Sequence, residues 1–191
     1  MPNEACGQPA FVSLRRAADD GWFGVIKREA MLQLRYAESP EDLEVIRVLF
    51  REYEAWLGFD LCFQGFEQEL ATLPGAYAPP SGRLLLASHN GSIAGCIGLR
   101  RFGDWPDICE MKRLFVREPF RGLHIGRALS EAVIDEARQI GYSDMRLDTL
   151  ERMKAARALY ISLGFKEITA YRFNPIEGAI FMELSLKDEK P

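Results

Sequence analysis

The sequence predicts a mixed α/β (α+β) domain: a central, largely antiparallel twisted sheet with one βαβ crossover, flanked by helices on both faces. Three observations carry this expectation. From Met31 onward, stretches with apolar residues at every second position alternate with stretches at helical spacing, in the order β α α β β β α β α β β. Asn90-Gly91 stands between two apolar runs, the signature of a tight hairpin. A long helical stretch around Leu129 to Ile140 separates the third meander strand from a strand at Met145, as a right-handed crossover requires.

Each element has a local reason. Leu32, Leu34 and Tyr36 repeat with period two, and Ser39-Pro40-Glu41-Asp42 then supplies a cap, a proline at the first helical position and early acids. Leu43, Ile46, Leu49, Phe50, Tyr53, Trp56 and Leu57 share one face of the helix that follows, which should end near Gly58. Phe66 to Leu73 reads as a shorter helix, and the Pro74 to Gly82 loop contains Pro79-Pro80, which no helix interior holds. Arg83 to Ser88, Ile93 to Arg101 and Ile108 to Val116 form a meander. Leu129, Ala132, Val133, Ala137 and Ile140 mark the long helix, closed by Gly141 in a left-handed cap. Met145 to Thr149 is a short strand, Met153 to Leu163 a helix, and Phe165 to Leu186 a final strand pair.

The length of 191 residues suits one domain, with residues 1–30 expected as an N-terminal extension outside the core and 31–191 as the domain. Apolar residues make up 48% of the chain, enough to bury a real core. The net charge of −4 has the wrong sign for nucleic acid or an anionic membrane, so neither is an expected partner. No apolar run is long enough to span a bilayer and no secretory signal opens the chain, so a cytoplasmic address is expected. Cys6, Cys62, Cys96 and Cys109 form no CxxC pair and have only His89 and His124 to join them, so reduced thiols and no metal are expected.

Against that acidic background, Lys112, Arg113, Arg117, Arg121 and Arg127 stand with the single acid Glu118. An anion is expected here. The stretch runs strand, turn, Arg121-Gly122-Leu123-His124-Ile125-Gly126, then helix, so several backbone N–H groups converge at a helix start. Each such contact contributes about 0.3–1 kcal/mol when exposed. The alternative is an ordinary βα turn whose arginines are merely solvated.

Glu110-Met111-Lys112-Arg113-Leu114-Phe115-Val116, then Arg121 to Gly126, then Ala158-Leu159-Tyr160 with Gly164-Phe165, resemble the GNAT superfamily of acetyl-CoA-dependent N-acetyltransferases. The resemblance covers about Leu32 to Leu186. It implies acetyl-CoA as cosubstrate, its diphosphate cradled by Arg121, Gly122, Leu123, His124, Ile125, Gly126 and Arg127, and its pantetheine lying along Leu114, Phe115 and Val116. It also implies that Glu110 acts, directly or through water, as general base, and that the Tyr160 hydroxyl protonates the departing sulfur. Two positions depart from the family pattern. His124 stands where a glycine is usual and where the backbone needs clearance or positive φ, and Met153 replaces an asparagine that usually contacts the cofactor. Two alternatives stay open beside these roles: Glu110 can pair with Lys112 on the same strand face, and Tyr160 shares helical spacing with Met153, Ala156 and Leu163.

The expected function is transfer of the acetyl group from acetyl-CoA directly to a primary amine of a small molecule or amino acid in a ternary complex. A protein N-terminal or lysine acetyltransferase and a catalytically silent CoA-binding module are the alternatives. Relatives are commonly homodimers, and nothing in the sequence decides this for the chain. The Glu38 to Glu69 stretch is rich in acids and reads as a solvated helix face, whereas Arg100, Arg101, Arg113 and Arg172 are candidates to hold an acceptor carboxylate. Tyr171 to Gly178 is expected to be a loop over the acceptor.

Overall fold

A computed structural model of the chain describes residues 31–187; the expected extension over residues 1–30 lies outside the described residues. The first strand, β1 (Leu32–Tyr36), leads into α1 (Pro40–Leu57), whose start is fixed by the Ser39 hydroxyl accepting from the Asp42 N–H at 3.1 Å. A cap of this kind contributes about 1 kcal/mol. A 3-10 turn at Cys62–Gln64 and the short α2 (Phe66–Ala71) follow, then the meander β2 (Arg83–His89), β3 (Ser92–Arg101) and β4 (Ile108–Val116). The long α3 (Ile125–Ile140) connects to β5 (Asp144–Leu150), and α4 (Lys154–Ser162), β6 (Lys166–Ile168) and β7 (Ala179–Ser185) complete the chain. The element order expected from the sequence holds throughout.

The seven strands form one sheet in the order β1-β2-β3-β4-β5-β7-β6. Every neighbouring pair is antiparallel except β4 with β5, the product of the α3 crossover. One face is covered by α1 and α2: Ile46, Leu49 and Phe50 pack on Leu84, Leu86, Cys96 and Phe115. The other face is covered by α3, whose Leu129, Val133 and Ala137 meet Ile97, Leu99, Met111 and Met145, and by Tyr160 of α4. Among the described residues no helix is long and apolar enough to cross a membrane.

One irregularity positions the site. β3 and β4 pair Gly98 with Lys112 and Cys96 with Phe115, so Ile97 faces two residues, Arg113 and Leu114. This is a β-bulge. Arg113 takes a left-handed backbone (φ 56°) to make it, and its guanidinium is fixed by two bonds to Glu69 at 2.9 and 2.8 Å, with the Phe66 ring 5.0 Å away. Gly95 is required opposite the bulge, because a Cβ there would lie 2.3 Å from the Phe115 carbonyl oxygen. Ahead of the bulge, β4 has already left β5: the two pair only from Ile108–Asp144 to Glu110–Arg146.

Candidate active site

A cleft of about 690 Å³ opens where β4 and β5 part. Its walls come from β4 (Met111 to Val116), β5 (Leu147 to Leu150), the start of α3, and α4 (Ala155, Ala156, Ala158, Leu159, Tyr160). The end of α1 and the following turn (Tyr53, Trp56, Leu57, Phe59, Leu61, Phe63, Gln64) and Asn174 and Ile176 of the β6–β7 loop close it. Of the expected site residues, Leu114, Phe115, Val116, Arg121, Gly122, His124, Ile125, Gly126, Arg127 and Tyr160 line this one cleft. Leu123 does not; its side chain is exposed to solvent. Glu110 does not line it either.

The α3 end of the cleft has the character of an anion site. Gly122 (φ 82°) and His124 (φ 58°) are both left-handed, and this folds the turn so that the first helical amides face outward. No side chain caps the helix, and its first backbone bond runs from the Ala128 N–H to the His124 carbonyl at 3.1 Å. The earlier N–H groups of the turn are therefore free to meet a diphosphate. A Cβ on Gly126 would meet Val116 and Leu159 at 3.8 Å, ordinary contact, so the wall has room for a methyl group and not for a large side chain.

The basic cluster is smaller than the sequence suggested. Arg113 is paired with Glu69, and Arg117 is held by Glu52 at 2.7 Å through both Nε and Nη2. Lys112 donates to Gln64 Oε1 at 3.0 Å and Asp148 Oδ1 at 3.4 Å. This leaves Arg121 and Arg127 at the mouth; Arg121 lies 4.9 Å from the Trp56 ring, and Arg127 contacts Glu131 and Ser162. The acids of α1 and α2 that sequence alone reads as a solvated face thus include the partners of β4.

His124 pays a conformational penalty for the turn, since a non-glycine residue at positive φ is strained by about 1–2 kcal/mol. His124→Gly is accordingly expected to raise stability by about 0.5–1 kcal/mol after the extra chain entropy of glycine is subtracted. That corresponds to a melting-temperature gain of about 2–3 °C in a chain of this size, read by scanning calorimetry, with CoA affinity retained.

At the other end, Glu110 is fully buried. Arg100, its cross-strand partner, donates Nε and Nη2 to one carboxylate oxygen at 3.0 and 2.8 Å. Arg172 and the Tyr171 hydroxyl reach the other oxygen at 2.9 and 3.1 Å. Burial works to raise its pKa, but Lys112, Arg172 and Arg100 together overcome that and hold it below the usual carboxylate range. Asp148, on β5, is likewise held low by Lys112 and Arg172 against burial, and accepts from Asn174 at 2.9 Å. Arg100, Arg113 and Arg172, expected as a clamp for an acceptor carboxylate, are therefore engaged within the chain. The pairing of Glu110 with Lys112 is also not made: the lysine turns toward β5.

The Tyr160 ring is buried against Phe165 at 5.8 Å between centroids, and its hydroxyl makes no hydrogen bond among the described residues. Burial raises its pKa, so it stays protonated at neutral pH. Met153 lines the cleft where the family pattern has asparagine, and its sulfur accepts from the Thr149 hydroxyl at 3.7 Å. Cys109 sits in the core, its thiol pushed up by burial. Among the described residues no three His, Cys, Asp or Glu side chains gather as a metal site.

Tyr53, Trp56, Phe59, Phe63, Gln64, Lys112 and Asp148 are cleft residues that sequence reasoning missed as such. The helical period of α1 made Tyr53 and Trp56 indistinguishable from core. Lys112 was visible only as part of a charge cluster.

A splayed parallel pair, a βα turn with outward amides and a tyrosine on the facing helix define a CoA-dependent acyltransferase fold. The sequence profile of the Acetyltransferase (GNAT) family matches residues 43–165, and the chain belongs to that family. It is an acetyl-CoA-dependent N-acetyltransferase. An uncharacterized N-acetyltransferase of Schizosaccharomyces pombe is 41% identical over 156 residues, covering 81% of this chain and 95% of the relative. Another, from Dictyostelium discoideum, is 31% identical over 214 residues, covering 81% and 99%. The structure of yncA from Salmonella typhimurium with its cofactor acetyl-CoA superposes with a TM-score of 0.65 at 21% identity, covering 84% of this chain and 97% of that one.

Proposed function

We propose that the acceptor is a primary amine of a small molecule or amino acid, acetylated by direct attack in a ternary complex. The single observation that carries this reading is the cleft itself: one continuous space runs from the uncapped α3 start past Tyr160 to Asn174 and Ile176 of the β6–β7 loop. The residues around that end are held in place. Arg152 donates to the Leu57 carbonyl oxygen, Asn174 is tied to Asp148, and Tyr171 packs edge-on against Phe102 and Phe181 at 5.0 and 5.2 Å. A cleft of about 690 Å³, shared with the cofactor, leaves room for a small acceptor.

Acetyl-CoA supplies an acetyl group activated by a thiol leaving group. The chain's own residues do the rest. The Gly122 to Arg127 amides, with Arg121 and Arg127, hold the diphosphate. Leu114 to Val116 offer backbone groups that the departure of β5 leaves unpaired. Tyr160 donates its proton to the sulfur as the bond to the acyl carbon breaks. Glu110 has a different part from the one its strand position suggests: it anchors Arg100 and Arg172 beneath the acceptor end. The free thiols of Cys62, Cys96 and Cys109 suit a reducing cytoplasm.

The test begins with binding. Acetyl-CoA is expected to raise the melting temperature in proportion to the logarithm of its concentration. Gly126→Trp, whose ring fills the mouth between Val116 and Leu159, is expected to abolish the shift while the protein stays folded. Thiol release across amino acids, polyamines, aminoglycosides and short peptides then identifies the acceptor; release with peptides alone would overturn the small-acceptor reading.

A further inference from the structure

Lys112 stands where β4 and β5 fork, just past their last pair, Glu110–Arg146. Its side chain is only 5% exposed, yet it lines the cleft. Two of its N–H bonds go to Gln64 Oε1 and Asp148 Oδ1. The third position on the nitrogen, a proton or a lone pair, has no partner among the described residues. We propose that Lys112 is the catalytic base of this enzyme, its ε-nitrogen taking the proton of the acceptor ammonium at the fork. The inference rests on the amine-acetylating reading above.

Burial favours the neutral amine, and the charges around it largely offset one another. Glu110 and Arg113 face it from β4, Asp148 from β5 and Arg172 from the β6–β7 loop, with Arg100 of β3 behind Glu110 and Glu69 of α2 behind Arg113. Glu110 and Asp148 are balanced by Arg100 and Arg172, and Glu69 by Arg113, so a protonated Lys112 is the surplus charge of a buried cluster. Burial pushes it down and the two carboxylates push back, to about 8.

The other ionisable groups of the cleft are unsuited. Arg113, Arg121 and Arg127 keep their protons at any working pH. Burial pushes Tyr53 up to about 12 and raises Tyr160. Asp148 is ionised but held low by its cationic partners, a weak base toward an ammonium group of pKa about 10. His124 stands at the α3 end, with the diphosphate site.

The protons balance. The acceptor nitrogen gives up two: one passes to Lys112 and from there to solvent. The second leaves as the C–N bond forms at the acyl carbon and replaces the proton that Tyr160 gives to sulfur when the C–S bond breaks. The net reaction releases one proton and CoA thiol.

The test follows thiol release from acetyl-CoA with phenethylamine and L-phenylalanine as probe acceptors, chosen because Phe59, Leu61 and Phe63 line the same cleft. Wild type is expected to gain kcat with pH and level off above about 8, as a base of that strength requires. Lys112→Arg and Lys112→Met are each expected to lose about 100-fold or more in kcat, with acetyl-CoA affinity by calorimetry within about twofold. Lys112→Cys alkylated to S-aminoethylcysteine, a weaker base of nearly equal length, is expected to restore turnover with the levelling moved to lower pH. A Lys112→Arg or Lys112→Met enzyme within about threefold of wild type, or an unmoved profile in the alkylated enzyme, would overturn the assignment. No thiol release by wild type with any probe amine, despite bound acetyl-CoA, would remove the reading beneath it and Lys112's role with it.

Discussion

Tyr160→Phe is expected to slow acetyl transfer by about 100-fold or more while acetyl-CoA binds within about twofold of wild type. The ring stays in place because its packing against Phe165 needs only the apolar body, and the hydroxyl has no hydrogen bond among the described residues to lose. What disappears is a donor that burial keeps protonated and that lies in the cleft wall. Stopped-flow measurement of the chemical step, beside calorimetry for the cofactor, separates the two effects. Equal turnover by wild type and Tyr160→Phe would mean that the ring is wall and the hydroxyl incidental.

Glu110→Gln separates anchor from base. Its carboxylate is fully buried and contacted by two guanidiniums and a phenol, so losing the charge leaves Arg100 and Arg172 with an uncompensated neighbour in a dry place. Removing one partner of such a pair costs about 3–5 kcal/mol, and glutamine, which still accepts hydrogen bonds, belongs near the lower figure. Urea denaturation is expected to show that loss, whereas kcat of the folded variant stays within about tenfold of wild type. A collapse of kcat with unchanged stability would return Glu110 to the role of base.

The fold was largely legible because its signals are local. Ser39-Pro40, Asn90-Gly91 and Gly141 fix ends and turns within a few residues, and the apolar periods between them assign the strands and helices. The turn at the start of α3 was legible for the same reason: turn, glycine and helix are contiguous. Of the two costs that a non-glycine at His124 could carry, lost clearance or positive φ, the structure shows positive φ. What escaped were pairings between distant parts of the chain. Nothing near Arg113 in sequence announces Glu69, nor anything near Arg117 Glu52, so a cluster that looked free for a ligand proved engaged. Lys112 escaped for a subtler reason. Strict alternation along β4 would put Arg113 on the opposite face, and only the bulge, a register shift no residue type marks, gathers Lys112 and Arg113 toward the same side.

The bulge also makes a buried ion pair depend on the length of a strand. Deleting one residue between Lys112 and Phe115 would let β3 and β4 zip in even register, with Lys112 and Phe115 on their present partners and the bulge that turns Arg113 toward Glu69 gone. The chain would still find its sheet, with Glu69 left without its cation. The number of residues in this segment, and not only their kind, therefore decides where the buried Arg113–Glu69 pair can form.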